Sequence, residues 1–472
     1  MSFISYEYLF ILLGTFIILY NVSFQWQRVL LLAASYIFYG MVDVQFILLI
    51  LISTVVDYFC AIKIENNNLP QKRKDFLILS LAVNLGLLGY FKYYYFFSDN
   101  INRIWNYFDY RGPFPYIDIV LPVAISFYTF QTIGYTVDVY KKRIKAERNF
   151  FNFALYVSYF PQLVAGPIER SKSLLPQLSK KISFNSQMAS EGLLQISVGI
   201  FKKLVIAENL NLITSLFYSR VEQFNPLESF IALVCFSIQV YCDFSGYTDM
   251  AIGSAKLLGV RLQKNFDHPY GATSLAQLWK KWHISLTSWF GDYVYKELLS
   301  IHFFQKYKFL CVIIVFLLMG LWHGPSWAFI SFGLFNAIGL FIERPIIKLE
   351  KQLSTFIPSF LYELWARMRT QFFWIVCGQG FIVSNFTDIP LIFSNFLKEW
   401  NLSLAKMDAT LHQAQAFSVL VCWILLYLGE EILSKNKEIK LTRSYWPFMF
   451  LLWCTILVLG KWKVVEFIYY RF

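Results

Sequence analysis

Long apolar stretches recur along the whole sequence, separated by short runs of polar and charged residues. A membrane-crossing helix needs roughly 20 consecutive apolar residues, and this pattern therefore predicts an all-α polytopic membrane protein with about eleven full spans. Segments 30–40 and 325–337 are shorter, which favours re-entrant or half-crossing helices at these two places. The predicted segments are 8–22, 29–41, 45–62, 76–97, 118–139, 150–167, 190–210, 228–242, 306–321, 325–343, 371–385, 416–430 and 446–460.

The composition supports a membrane protein, since 57% of the 472 residues are hydrophobic and only 15% are charged. The net charge of +12 comes from lysines and arginines clustered in short loops, such as those at 63–74 and 141–148. Clusters of this kind are typical of cytoplasmic loops beside membrane spans. We therefore predict lipid rather than nucleic acid as the surrounding partner, a multi-pass membrane location, and a single membrane domain over 1–472.

The cysteines and histidines show no metal-binding spacing. Seven cysteines occur without a CxxC pair, and the five histidines form no HExxH or similar motif. Buried cysteines of this kind behave as small hydrophobic residues. The sequence predicts neither a metal site nor a bound cofactor.

The stretch FDHPYGATSLAQLWKKWHISLTSWFGDYVYKEL is rich in aromatic residues and cations. Ser274 and Gln277 form a capping box, which predicts a helix that begins near Leu275. A single helix would place His283 on a face of large aromatic residues, because the spacing is three or four. Two interpretations remain open: an interfacial helix anchored by its tryptophans and lysines, or a functional site. The residues of this face are Trp279, Trp282, His283, Leu286 and Trp289.

The stretch LMGLWHGPSW places His323 in an apolar setting, directly before Gly324 and Pro325. These two residues end a regular helix, so we expect the histidine at a break. Burial depresses the pKa of an imidazole, and the neutral ring then accepts protons near pH 7. The alternative is a core histidine hydrogen-bonded to a helix carbonyl.

Five motifs carry a family resemblance: LPVAISFYTFQTIGYTVDVY at 121–140, YFPQLVAGPIERS at 159–171, YCDFSGYTDMAIG at 241–253, WKKWHISLTSWF, and LWHG. The chain resembles the membrane-bound O-acyltransferase superfamily from about residue 30 onward. Within it, the chain is similar to the bacterial alginate and peptidoglycan O-acetyltransferase branch, which is related to the teichoic acid D-alanyl transfer protein. The core motifs lie within 121–343.

The resemblance implies a ring of tilted helices, with re-entrant and interfacial helices, around a central tunnel. A cytoplasmic acyl thioester such as acetyl-CoA would be the donor, and an extracytoplasmic cell-envelope polysaccharide would be acetylated. The signature histidine of the superfamily falls on His323, and the second histidine of this branch falls on His283. Two departures leave the acceptor and the partner open: Gly291 stands where arginine is common, and 296–300 replaces an IPLGG-like turn.

The last residues, FIYYRF at 467–472, resemble the acyl-shuttling tail of envelope acylation systems. In that interpretation Tyr469 is the nucleophile and His323 is its base, while His283 orients His323 or donates to the oxyanion. An extracytoplasmic SGNH-type partner then receives the acyl group. The alternatives are an aromatic membrane anchor for the tail, or direct transfer to a serine of the partner.

Further polar residues are candidates for substrate binding. Asp243 and Asp249 flank Ser245-Gly246, which we interpret as a turn, and Gln131 lies within an apolar segment. Core hydrogen bonding explains Gln131 equally well. The alternatives to acetyl transfer are transfer of D-alanyl or another acyl group, a transporter or flippase, and a non-catalytic scaffold. The predicted substrate-binding residues are Trp282, Trp322, Gln131 and Asp243.

Overall fold

The computed structural model describes residues 3–353, 357–383, 386–400, 404, 413–435 and 445–462. Every regular element in these ranges is a helix. Widened π-type turns occupy Gly89–Tyr93, Lys202–Ala207 and Gly291–Tyr295. The α-helices are α1 Tyr6–Leu19, α2 Phe24–Gly40, α3 Gln45–Asn66, α4 Pro70–Leu88, α5 Tyr94–Tyr107, α6 Ile125–Tyr140, α7 Phe150–Ser158, α8 Phe160–Leu163, α9 Ser171–Leu178, α10 Ser186–Phe201, α11 Glu208–Ser219, α12 Pro226–Leu257, α13 Leu275–Lys281, α14 Ile284–Phe290, α15 Lys296–Leu299, α16 His302–Lys306, α17 Lys308–His323, α18 Trp327–Leu353, α19 Ser359–Cys377, α20 Asp388–Ser394, α21 Gln413–Lys435 and α22 Tyr445–Leu459.

Four of the described helical stretches are long and apolar enough to cross a membrane: Gln45–Asn66, Pro70–Tyr107, Pro226–Leu257 and Trp327–Gln352. Shorter apolar helices include α1, α17 and α22. Both groups agree with the predicted all-α membrane architecture. The number of about eleven spans stays a prediction.

Several predicted segments differ from the helices observed. Most of segment 325–337 belongs to the 27-residue α18, which begins at Trp327 and is long enough to cross a membrane, so a half-crossing helix at this place is wrong. The apolar pattern ends at Glu343 and Arg344, whereas the helix continues to Leu353. Glu343 is buried and accepts a hydrogen bond from the backbone N–H of Leu275 at 2.7 Å. Segment 150–167 is also not one helix, because the backbone leaves the helical conformation at Tyr159, with φ −50° and ψ 107°. The short helix α8 then begins at Phe160, and Pro161 lies in its first turn.

The described chain divides into two compact units, and the first comprises Met1–Leu193 and Ala251–Gln263. In this unit α3, α4 and α6 pack against one another. Buried polar side chains join them: Asn84 Nδ2 donates to Asp57 at 2.8 Å, Ser80 also donates to Asp57, and Ser53 Oγ donates to Asn84 Oδ1 at 2.7 Å. Such bonds between helices satisfy polar groups that lipid leaves unpaired.

The second unit comprises Leu194–Met250 and Lys264–Phe472. Its most extensive helix pair is α17 with α18, which pack closely through glycines. A Cβ atom at Gly320 would collide with the carbonyl oxygen of Phe329, and one at Gly333 with that of Phe316. Small residues allow such close backbone approach between membrane helices. The predicted single domain over 1–472 stays a prediction.

Candidate active site

The second unit contains the predicted helix break at His323. Helix α17 ends at this residue, and Gly324 is extended, with φ −168° and ψ 153°. The next helix is capped by Ser326, whose Oγ accepts from the N–H of Phe329 at 3.3 Å. The sequence prediction of a histidine at an interrupted helix is confirmed.

His323 forms part of the wall of a small cavity of about 20 Å³, which is room for roughly one water molecule. The imidazole is only 4% exposed. Its ring centre lies 5.1 Å from that of Phe381 and 5.7 Å from that of Phe332. The cavity is lined by Leu233, Phe236, Ser237, Val240, Trp282, His323, Phe332, Trp374, Ile375, Gly378, Gln379 and Phe381.

The cavity wall is mainly apolar with a few polar groups. Ser237 Oγ lies 2.8 Å from the hydroxyl of Tyr270. Gln379 accepts a hydrogen bond from the hydroxyl of Tyr218 at 2.8 Å and donates to the carbonyl of Ile375 at 2.7 Å. No carboxylate occurs among the lining residues that the structure describes. An apolar site with a few fixed polar groups is typical of small-molecule binding.

The prediction of one continuous helix through His283 is wrong. Helix α13 ends at Lys281, and His283 adopts the left-handed conformation with φ 43° and ψ 53° before α14 begins. Asn265 explains the break, since its backbone carbonyl accepts from the N–H of Ile284 at 2.9 Å. The predicted helix start at Leu275 is confirmed, because Ser274 Oγ accepts from the N–H of Gln277 at 3.2 Å. The second bond of the predicted capping box differs, since the Gln277 side chain accepts from the N–H of Thr273 at 2.7 Å and not from that of Ser274.

The interfacial interpretation of this segment is also wrong. Trp279, Trp282 and Trp289 are at most 6% exposed, so none of them is anchored at a lipid surface. The Trp282 ring instead packs 4.6 Å from that of Trp374, and both residues line the cavity. These tryptophans build the interior of the unit.

His283 is held by Asn265 in one tautomer. The Oδ1 atom of Asn265 accepts from the N–H of Ser285 at 3.2 Å and from its hydroxyl at 2.9 Å. The same oxygen lies 3.2 Å from His283 Nδ1, so this nitrogen carries the proton and Nε2 carries the lone pair. Burial lowers the pKa of His283 to about 3. The ring is therefore neutral over the physiological range.

The two histidines share an aromatic neighbour. Their ring centres are 6.5 Å apart, and the indole of Trp322 lies 5.7 Å from His283 and 5.1 Å from His323. Trp322 is 3% exposed and is not among the lining residues of the cavity. The indole therefore packs beside both imidazoles in edge-to-face geometry.

Asp243 lies inside α12, which is helical throughout Pro226–Leu257, so the predicted turn at Ser245-Gly246 is wrong. Both carboxylates of this helix are paired: Asp243 accepts from Lys203 Nζ at 2.5 Å and Asp249 from Lys202 Nζ at 2.9 Å. Asp243 is not among the residues that line the cavity.

The remaining predicted site residues, Gln131 and Tyr469, are not among the described residues that line the cavity. Gln131 belongs to the first unit, where its amide donates to the carbonyl of Tyr156 and accepts from Gln162, both at 2.5 Å. These contacts agree with the core hydrogen-bonding interpretation. Tyr469 lies outside the described residues, so its role as a nucleophile stays a prediction.

The sequence analysis missed several residues near the site. Ser237 and Gln379 line the cavity and Asn265 holds His283, yet none was a candidate. A signal existed for the first two, because polar residues within predicted spans 228–242 and 371–385 are functional candidates by default. Lys202, inside predicted span 190–210, had the same signal. Asn265 had none, since its contact is known only from the fold.

Comparison with known proteins identifies the family. The model of MBOAT, the membrane-bound O-acyltransferase family, matches residues 141–384, a range that includes both histidines. The chain belongs to the membrane-bound O-acyltransferase family. The predictions of this family and of an acyltransferase enzyme are confirmed.

Relatives of this acyltransferase include the probable alginate O-acetylase AlgI of Azotobacter vinelandii. That protein is 33% identical over 435 residues, which cover 90% of this chain and 83% of the relative. A peptidoglycan O-acetyltransferase of Helicobacter pylori is 34% identical over 70% of this chain and 67% of its own length. A teichoic acid D-alanyltransferase of Bacillus subtilis is 23% identical over 50% of this chain and 63% of its own length.

Proposed function

We propose that this acyltransferase transfers an acetyl group from a cytoplasmic acyl thioester, such as acetyl-CoA, across a bacterial inner membrane. The acetyl group then O-acetylates an extracytoplasmic envelope polysaccharide, of the alginate or peptidoglycan kind named for the relatives. The observation that carries the proposal is His323, an ionisable ring on the wall of a small, mainly apolar cavity. Ionisable groups in such places are expensive and serve function by default.

The transfer step needs a base for the acceptor hydroxyl. As the hydroxyl oxygen attacks the thioester carbonyl, neutral His323 takes the hydroxyl proton. The new C–O bond forms, the C–S bond breaks, and the imidazolium returns the proton to the leaving thiolate. Protons and charges balance in this step, so it requires no reactant besides the thioester and the acceptor hydroxyl.

His283 fits a positioning role better than an oxyanion donor. Its Nδ1 proton is directed to Asn265, and its Nε2 atom carries a lone pair. A neutral ring in this tautomer has no second N–H to donate to a developing oxyanion. We therefore assign His283 and Trp322 to positioning His323, and Trp282 to the cavity wall that contacts the acyl group.

The cavity chemistry favours acetyl over D-alanyl as the transferred group. A D-alanyl ammonium placed among the described lining residues would find no carboxylate. Burial of an unpaired charge is costly, whereas an acetyl methyl group matches the phenyl and indole walls. The D-alanyltransferase relatives thus support acyl transfer as the chemistry of the family, whereas the cavity favours acetyl as the group that this chain transfers.

The shuttle part of the proposal assigns Tyr469 as the acceptor hydroxyl. A phenol has an ordinary pKa near 10, so it needs a base such as His323. The aryl ester keeps the acyl group activated, because phenolate leaves more readily than a sugar alkoxide. An SGNH-type extracytoplasmic partner would then transfer the group to the polymer.

Replacement of the base tests the proposed function. We expect His323→Ala to lower transfer of radiolabelled acetyl from the thioester to envelope polymer by about 10²- to 10⁴-fold, the usual contribution of a positioned base. The measurement uses membranes containing equal amounts of inserted protein. His302→Ala is the matched control, since His302 is exposed and should keep wild-type activity. Full activity in His323→Ala would refute the proposal.

A second substitution tests the shuttle separately. Tyr469→Phe should leave no radiolabelled acetyl group on the enzyme itself, because the phenol oxygen that forms the ester is gone. Labelling is measured after denaturing electrophoresis, and Tyr470→Phe is the control. Undiminished label would exclude Tyr469 and favour direct transfer to a serine of the partner.

A further inference from the structure

Acyl transfer benefits from a hydrogen-bond donor for the carbonyl oxygen as well as from a base. As the acceptor hydroxyl attacks, the π electrons of the C=O bond move onto this oxygen, and a donor held in place stabilises the new charge. His283 does not supply this donor, because its N–H is directed to Asn265. The neutral polar residues on the cavity wall are the remaining candidates.

Ser237 lies in the middle of the α12 face that borders the cavity. The other lining residues of this helix are Leu233, Phe236 and Val240. Residues 236, 237 and 240 follow Leu233 by three, four and seven positions, which places all four on one side of the helix. The side chain of Ser237 therefore faces the cavity wall that also contains His323.

The hydroxyl groups of Ser237 and Tyr270 share one hydrogen bond but carry two protons. Their oxygens are 2.8 Å apart, and neither hydroxyl has another hydrogen-bond partner among the residues that the structure describes. Burial raises the pKa of the Tyr270 phenol, which therefore keeps its proton. A phenol is a better hydrogen-bond donor than an alcohol, so Tyr270 donates and Ser237 accepts. The proton of Ser237 is then available to a group in the cavity.

The described walls of the cavity offer this proton no acceptor. Phe332 and Phe381 contribute phenyl rings, and the Oε1 atom of Gln379 already accepts from the hydroxyl of Tyr218 at 2.8 Å. A buried donor without an acceptor costs free energy. The carbonyl oxygen of a bound acyl group removes this cost, and one water-sized group fits the volume of about 20 Å³.

We propose that Ser237 is a catalytic residue, whose hydroxyl donates to the carbonyl oxygen of the acyl group while Tyr270 positions it. The inference rests on the proposed acetyl transfer and adds the group that stabilises its transition state. Attack by the acceptor hydroxyl places negative charge on the carbonyl oxygen, and the hydrogen bond from Ser237 strengthens. Ser237 keeps its proton throughout. The electron pair returns to re-form the C=O bond as the C–S bond breaks, and His323 passes the proton of the acceptor to the thiolate.

The experiment measures kcat and KM for an acetyl thioester in membranes with equal amounts of inserted protein. We expect Ser237→Ala to lower kcat about 10²- to 10³-fold at unchanged KM, because the hydrogen bond acts in the transition state. Tyr270→Phe keeps the Ser237 hydroxyl without its donor, and it should lower kcat about tenfold. The double variant should lose no more than Ser237→Ala alone, because Tyr270 acts through Ser237.

Ser331→Ala is the matched control. Ser331 is also a buried serine in a helix of the second unit, but its hydroxyl donates to the carbonyl of Ala328 at 2.7 Å. It is not among the described residues that line the cavity, so its substitution should leave kcat and KM at their wild-type values. An equal loss of kcat in Ser331→Ala and Ser237→Ala would overturn the specific role of Ser237.

The outcomes separate this inference from the proposed function. If wild type transfers no acetyl group from a thioester, the proposed function fails and this inference fails with it. If wild type transfers acetyl and Ser237→Ala keeps its kcat, only the role of Ser237 is overturned. If the double variant shows the product of the two single losses, the positioning role of Tyr270 is overturned. Where Ser237→Ala yields no folded protein, Tyr270→Phe decides: a lower kcat at constant KM supports the hydrogen bond, and an unchanged kcat overturns it.

Discussion

At the residue scale, the tautomer of His283 depends on one acceptor atom. Asn265 Oδ1 faces three donors, from the backbone and hydroxyl of Ser285 and from the imidazole. Its Nδ2 atom is buried and has no hydrogen-bond partner among the described residues. Asn265→Asp is a nearly isosteric change. Because it replaces Nδ2 with an oxygen, it removes no hydrogen bond of the described chain.

The substitution Asn265→Asp should change how activity depends on pH. In wild type the pKa of His283 is about 3 because of burial, so its ring stays neutral as pH falls from 8 to 5. A carboxylate beside Nδ1 stabilises the imidazolium and raises this pKa. The variant should therefore lose kcat/KM at a higher pH than wild type does, as a pH–rate profile measures. If wild type and Asn265→Asp lose kcat/KM at the same acidic pH, the assigned contact between residue 265 and His283 is contradicted.

The same pKa determines the sign of a stability effect. An unfolded histidine has a pKa of about 6.5, above the value of about 3 in the folded chain. The unfolded chain therefore binds an extra proton between these values, and the free energy of unfolding falls as pH drops through that window. Asn265→Asp should reduce this loss, because its folded His283 also takes up the proton.

At the element scale, the α17–α18 pair brings His323 to the cavity. The two helices approach closely because Gly320 and Gly333 carry no side chain at the contact. The short connection through Gly324 then leaves His323 at the end of α17. Close packing of this hairpin thus determines where the imidazole lies.

A methyl group in this contact should destabilise the hairpin. Gly333→Ala places a Cβ atom against the carbonyl oxygen of Phe316, and such overpacking costs about 1–3 kcal/mol. The expected result is a lower melting temperature in detergent, with acetyl transfer reduced as His323 shifts. Gly86→Ala serves as the control, since no atom among the described residues lies within 4 Å of its Cβ position. Equal melting temperatures for the two variants would show that the helices separate easily.

At the scale of the whole molecule, the second unit is joined by a buried ion network. Lys202, in the π-type turn between α10 and α11, contacts Asp249 of α12 at 2.9 Å and Glu430 of α21 at 2.8 Å. Tyr241 also donates to Glu430, at 2.6 Å. The network thus links segments more than 180 residues apart in the sequence.

Loss of the central lysine should destabilise this unit strongly. Lys202→Met leaves two partly buried carboxylates without their cation, and breaking a buried pair costs about 3–5 kcal/mol. Chemical unfolding in detergent measures the change. The control Lys296→Met removes an exposed pair with Asp292, so it should change the free energy of unfolding by about 1 kcal/mol or less. Similar values for both variants would mean that the network contributes little.

How much of the site was predictable depends on the range of the contacts. His323 was correctly placed at a helix break because Gly324 and Pro325 act within the next two residues. Trp282 was a candidate for a different reason, namely its motif, and the structure places it on the cavity wall.

The sequence by itself determined the membrane class, the all-α fold, the family, the helix cap at Ser274 and the break after His323. All of these depend on apolar runs, local turn chemistry or motifs that neighbouring residues carry. Only the tertiary structure decided the break at His283, the walls of the cavity and the pairing of Lys202. These features depend on contacts such as that of Asn265 with Ser285, which exist only after distant parts of the chain have packed together.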